Sequence, residues 1–241
     1  MRVQNSRRLG LARALSKLGY CSRSHASAMI RAGRVTLNGA VRRDPEAPVN
    51  LRCARILVDG RPLSSSTPLY LMLNKPRGVV TTAADEQGRR TVYDCLPAGL
   101  PWLAPVGRLD KASEGLLLMT NDSEWAARVL APETHLEKTY HVQIGALADA
   151  ALLRALAKGV WVDGEHLRVK RAGVLRGGVR NTWLEVVLDE GKNRHIRRLL
   201  AGLGVEVLRL VRVAIGPLAL GDLAKGSSRP LTAAEKRVLG V

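Results

Sequence analysis

Apolar residues along the first part of the chain fall into short, differently spaced runs. Leu11, Ala14, Leu15 and Leu18 recur at helical spacing and stop at Gly19, predicting a helix over Leu9–Leu18. Ser22 is placed to cap a second helix, Arg23–Ala32, that ends at Gly33, although His25 stands where a capping box wants Glu or Gln. Val35-Thr36-Leu37, the pair Asn38-Gly39 and Ala40-Val41 read as a hairpin, and Ile56–Val58 before Asp59-Gly60 as another short strand. Arg61 to Pro68 is polar, serine-rich and bounded by prolines, the composition of a linker.

Beyond that point the spacing is mainly that of strands. Tyr70–Leu73 and Val79–Thr82 flank the turn Asn74-Lys75-Pro76-Arg77-Gly78, and Asp85–Arg90 reads as an exposed basic loop. Trp102–Val106 and Gly115–Met119 flank a Gly-Arg-Leu-Asp passage. Ser123–Leu130 and Asp149–Lys158 carry helical patterns, while Lys138–Ile144 alternates like a half-buried strand with Tyr140, Val142 and Ile144 on one face. Asn181–Leu188 is a further strand. Ile196, Leu199, Leu200 and Leu203 then form a helical stripe, with His195 and Arg197 on its borders and Arg194 and Arg198 pointing away. Val207–Ile215 reads as a last strand with its arginines on one side, and Ser227–Val241 as a closing turn and short helix. Many strands without a regular strand–helix repeat predict an α+β fold.

Charge narrows the function. The 241 residues carry 38 Lys and Arg against 21 Asp and Glu, a net +17, which points to a polyanion. Aromatic residues are 3% of the chain with no Phe, so extended base-stacking platforms are not expected, nor is a membrane-inserting face. RNA held through its phosphates fits better. Cys21, Cys53 and Cys95 are odd in number and widely spaced, against zinc ribbons and disulfide frameworks. They read as reduced thiols of a cytoplasmic protein, and the basic start, Met1–Leu9, lacks a secretory apolar core.

The candidate chemistry has two readings at each position. Asp110 either caps a turn or is a carboxylate aimed from between two strands. Tyr140 is a core tyrosine or a cavity residue. Lys75 and Arg77 hold a phosphate or decorate a turn. Arg13, Arg23, Arg31 and Arg34 form a solvated face or an RNA-binding one. A guanidinium at the stripe border, as at Arg197, is partly desolvated and calls for a carboxylate.

Gly107-Arg108-Leu109-Asp110 with Ser113 and Gly115-Leu116-Leu117 resembles the signature loop of the ribosomal-RNA pseudouridine synthases. More narrowly it resembles the bacterial branch that modifies single uridines in small- or large-subunit RNA. Asn74–Gly78, Lys138-Thr139-Tyr140, the Arg194–Leu200 segment and Val207–Ile215 resemble further family motifs, in family order. Ala12–Arg23 followed by Ile30–Gly39 is similar to the S-four-like RNA-binding module first seen in a small-subunit ribosomal protein, departing from it at Ser24, His25 and Ser27.

The resemblance implies an S-four-like domain with linker over 7–66. A synthase domain over 67–241 would follow, with a long mixed, mainly antiparallel sheet and flanking helices. It implies isomerisation of uridine to pseudouridine on a flipped-out base, with no cofactor and no metal. Asp110 would act as nucleophile or leaving-group stabiliser, Tyr140 would pack on the uracil, and Arg197 would pair with Asp110. Leu208 would wall the uracil pocket, and Arg108, Leu109, Lys138, Asn193 and Arg194 would contact substrate. Arg13, Ser22, Arg23, Arg31, Arg34, Asn38, Lys75 and Arg77 would contact RNA. His195, where the family usually has Gln, is expected to bond or touch RNA rather than act as a base. The expected partner is ribosomal RNA, free or in an assembling subunit, with no membrane and a monomer as default. The rival class is a non-catalytic RNA-binding ribosome-assembly factor.

Overall fold

The computed structural model describes residues 9–63, 67–83 and 85–239. The expected domain limits at 7, 66 and 241 lie outside them. By contact the chain divides into two compact units. One runs up to Tyr70 and takes in Pro97–Ala104 and Met119–Glu124; the other holds Leu71–Leu96, Pro105–Leu118 and Trp125–Val241.

In the first unit the helices Leu11–Lys17 and Arg23–Arg31 bury Leu11, Leu15 and Ile30 against Val35 and Val58. The first helix starts later than its apolar spacing predicts, because Leu9-Gly10 pairs with Pro48-Val49 as a two-residue strand. The Ser22 side chain accepts from the His25 amide at 3.2 Å, so the cap forms without its acidic partner. Asn38 and Gly39 both have positive φ (52° and 86°), as a two-residue hairpin turn requires, and join Val35–Leu37 to Ala40–Arg42. Ile56–Val58 extends this sheet, and Arg61-Pro62 pairs with it at the edge. The expected linker therefore begins too early: an edge position tolerates proline, so composition hid a strand.

The second architecture is a nine-stranded mixed sheet. Its order is Arg171–Gly177, Thr182–Leu188, Lys138–Ile144, Val207–Ile215, Glu114–Thr120, Tyr70–Lys75 and Ser228–Pro230. Leu218-Ala219 attaches to Val207–Ile215, and Ala104–Val106 to Glu114–Thr120. Lys138–Ile144 is antiparallel to both its neighbours, whereas Val207–Ile215 runs parallel to Glu114–Thr120. The helix His195–Gly202 lays Ile196, Leu199 and Leu200 on the sheet residues Val142, Ile144, Leu184 and Val186, and Leu156 of the helix Ala150–Lys158 joins them.

One predicted strand does not form. Val79–Thr82 makes a single parallel bridge, Val80 to Thr91, and Val92–Cys95 is a 3-10 turn capped reciprocally by Thr91 and Asp94. The hairpin Val160–Val162 with Glu165–Leu167 and the edge strand Arg171–Gly177 were not legible. Their side chains are largely exposed, which leaves no two-residue alternation to detect.

Candidate active site

Asp110 stands in the passage between Ala104–Val106 and Glu114–Thr120, two strands of one sheet. Its carbonyl accepts from the Ser113 amide at 3.0 Å, closing a tight turn. Every other carbonyl of that turn is also engaged. Leu109 O accepts from the Thr81 hydroxyl at 2.7 Å and Lys111 O from the Gly78 amide at 2.8 Å. Ala112 O accepts from Arg197 Nη2 at 3.0 Å. The Lys75 ammonium donates to Asp110 O at 3.1 Å and to Ser113 O at 2.8 Å, and completes its set on Pro76 O at 3.1 Å. Backbone capacity is thus spent inward.

The sequence placed Lys75 among the RNA contacts. The structure corrects this: Lys75 is fully buried, and its three donors are committed to carbonyls. Burial pulls its pKa down to about 8, against the pull of Cys95, Asp110 and Glu114. Arg77 stays exposed and donates to Leu208 O at 3.4 Å.

Gly115 and Arg212 lie side by side where the sheet turns parallel. Gly115 has φ +102°, and a Cβ there would collide with the Arg212 backbone. Only glycine lets the strand leaving the aspartate turn come that close. Glu114, next to it, is buried between Arg209 at 2.8 Å and Lys225 at 2.5 Å. Burial pushes the Glu114 carboxyl up, but the two cations prevail and hold it below the usual carboxylate range.

A cavity of about 400 Å³ opens beside the turn. Asp110, Arg108, Leu109, Ser113, Lys138, Tyr140, Arg194 and His195 all line it. The structure therefore brings together most of the catalytic and substrate-contact residues chosen from sequence, though not Arg197. Its apolar wall includes Leu188, Ile196, Leu210 and Ile215. Leu208 is not part of the lining; Leu210 takes that place, and the pairing of this strand with Lys138–Ile144 skips Leu208, which sits at a bulge. Alternation in the sequence does not reveal a bulge, which resets the phase of the strand. Asn193 is exposed and also absent from the lining.

The expected Arg197–Asp110 ion pair is replaced by another. Arg194 Nη1 lies 3.9 Å from Asp110 Oδ2, both side chains being partly open to solvent. Arg194 has φ +48° at the head of the helix His195–Gly202, so the backbone turns it back toward the aspartate. Arg197 instead grips Ala112 O and, at 3.4 Å, Val207 O. Burial, then Arg194, lowers the Arg197 pKa, and Asp110 opposes them, so the two groups feel each other without touching.

His195 is buried with Nδ1 3.6 Å from Glu190 Oε1. Burial holds its pKa below the ordinary histidine value, so the ring is neutral at pH 7. Lys138 is also lowered, by burial and then by Arg212, with Asp189 opposing.

Sequence reasoning missed two members. Thr81 orients Leu109, and nothing in its local pattern marks it. Arg212 is 6% exposed, lines the cavity and donates from Nε to Leu116 O at 2.8 Å. Its signal was present: Leu210 and Arg212 share strand parity, whereas Arg209 does not. The arginines of this strand are therefore not on one side as expected. Arg209 serves Glu114, and Arg212 the cavity.

Of the RNA contacts expected in the first unit, three have structural work. Ser22 caps its helix, Asn38 Oδ1 accepts from the Arg55 amide at 2.9 Å, and Arg34 forms a two-pronged pair with Asp59. Arg13, Arg23 and Arg31 are exposed and have no ion-pair partner among the described residues. No group of His, Cys, Asp and Glu among the described residues could hold a metal.

The family model for RNA pseudouridylate synthase matches residues 69–202, and that for the S4 domain matches residues 9–52. An uncharacterised RNA pseudouridine synthase of Aquifex aeolicus is 35% identical over 222 residues, 92% of this chain and 89% of that protein. One from Mycobacterium tuberculosis is 38% identical over 233 residues, 95% of this chain and 92% of that protein. A solved pseudouridylate synthase crystal structure superposes with a TM-score of 0.66 at 30% identity, covering 96% of this chain and 99% of that one.

Proposed function

The chain belongs to the RNA pseudouridylate synthase family and carries an S4 domain ahead of the synthase fold, and from that premise we propose that it isomerises specific uridines of ribosomal RNA through Asp110. One observation carries the reading: the turn from Leu109 to Ser113 has all its carbonyls bound inward while the Asp110 carboxylate lines the cavity. A carboxylate held on such a turn is preorganised for attack.

The reaction breaks N1–C1′ and makes C5–C1′; the C5 proton leaves to solvent and N1 gains one. Asp110 either attacks C1′ or supports departure of the base, and both roles need the carboxylate ionised. Tyr140 packs on the flipped uracil beside Leu210, and the target base must leave its stack to arrive there. Exposed Arg108 and Arg194 meet the phosphates at the mouth, while Arg13, Arg23 and Arg31 of the S4 domain add grip. Ribosomal RNA is favoured by the net charge of +17 and by the S4 module.

The test uses ribosomal RNA tritiated at uridine C5. Wild type should release tritium and Asp110→Ala should not, while both bind the RNA equally. Tight binding without release from any ribosomal RNA or assembly particle would instead indicate a non-catalytic assembly factor.

A further inference from the structure

Arg212 is the most deeply buried cation lining the cavity. Its Nε is spent on Leu116 O, but its Nη2 is buried and has no hydrogen-bond partner among the described residues. A buried guanidinium donor left unsatisfied is costly, and a guanidinium can only donate. The site therefore asks its occupant for an acceptor at this point. Arg212 is also the cross-strand partner of Tyr140. Directly opposed residues project on the same face about 5 Å apart, so a ring stacked on Tyr140 presents its edge to Arg212.

We propose that Arg212 reads a carbonyl oxygen of the target base and is the residue that makes the pocket select uracil, a deduction that rests on the isomerase reading above. A phosphate is the strongest other acceptor in RNA, but the exposed Arg108 and Arg194 already stand at the mouth, where the backbone passes. Arg212 lies among Leu210 and Ile215, surroundings that suit a neutral base rather than a charged phosphodiester.

The reaction itself strengthens the case. After N1–C1′ cleavage the base must turn about its N3–C6 axis to bring C5 to C1′. That half-turn exchanges N1 with C5 and O2 with O4. Uracil therefore offers Arg212 a carbonyl oxygen before and after the turn, and the donor stays satisfied throughout. Cytosine has an amino group at C4. In one of the two orientations it would set donor against donor, a mismatch that a buried polar site penalises strongly.

The experiment compares wild type, Arg212→Met and Arg212→Lys on C5-tritiated ribosomal RNA transcripts made with uridine, 2-thiouridine or 4-thiouridine. Sulfur is the weaker acceptor, so wild type should slow on both thio substrates. Arg212→Met should lose about a hundredfold in single-turnover rate on uridine and discriminate far less against sulfur. RNA affinity should change little, and Arg212→Lys, which keeps a donor, should recover part of the rate. A folded Arg212→Met with wild-type rate and wild-type thio effects would overturn the assignment. Should Arg212→Met fail to fold, wild type alone decides: indifference to both thio substitutions rejects the role. Absence of Asp110-dependent release from every RNA would strike the isomerase reading itself, a separate outcome.

Discussion

The Lys75 ammonium holds the carbonyl of Asp110 at 3.1 Å from a position with no solvent exposure, while the carboxylate of the same aspartate lines the cavity. One residue is thereby divided between two tasks. Its backbone belongs to the core and its side chain to the site.

This arrangement makes stability depend on pH through Lys75. Its pKa is about 8 in the fold and returns to 10.5 in the unfolded chain. Between those values the unfolded state keeps a proton that the folded state has released, so stability from this group rises with pH. It is full above 10.5 and lost as pH falls through 8. The gap in unfolding free energy between wild type and Lys75→Met should widen by about 3 kcal/mol across that window. Urea titrations of both proteins at the two ends would measure it, and a constant gap would show that the titration is not coupled to folding.

Gly115 should tolerate nothing larger. Gly115→Ala combines φ +102° with a collision against the Arg212 backbone. A loss of about 3 kcal/mol is expected, seen as a lower urea midpoint. Gly164, also at positive φ but with open space around it, is the control; Gly164→Ala should cost less.

Arg197 and Arg194 should separate in kinetics. Arg197→Met frees the Ala112 carbonyl beside Asp110, and single-turnover tritium release should fall at least about a hundredfold, the scale on which small misplacements act. Arg194→Met removes only a solvent-open contact at 3.9 Å, and a loss below about tenfold is expected. The reverse order would make Arg194 the principal partner of the aspartate.

RNA affinity should fall steeply with salt, and the first unit should contribute through unpaired arginines. Arg13→Ala and Arg31→Ala should each lower the slope of log affinity against log salt by about one unit or slightly less. Filter binding from low to physiological salt reads this directly. Unchanged slopes would place the RNA path elsewhere.

Much of the site was legible because its signals are local. Asp110 and Arg108 stand between two apolar runs and Tyr140 in an alternating strand; their resemblance to family motifs marked them as site residues, and the structure gathers all three around one cavity. The stripe of Ile196, Leu199 and Leu200 likewise predicted which face of its helix is buried. Errors arose where a local pattern had more than one tertiary outcome. A lysine after a strand is the same letter whether it meets a phosphate or three carbonyls, and Lys75 does the latter.

Local signals carried most of the helices and strands, the α+β class, the basic character and the tight turn at Asp110, because apolar period, turn chemistry and net charge are properties of neighbouring residues. Tertiary structure alone decided the partners: Arg194 rather than Arg197 nearest Asp110, Leu210 rather than Leu208 on the wall, and Arg212 buried with a donor to spare. Each depends on a strand register or a backbone turn between segments far apart in sequence. One extra residue at a bulge, such as Leu208, turns the side chains on its two sides out of phase, and no local pattern announces it.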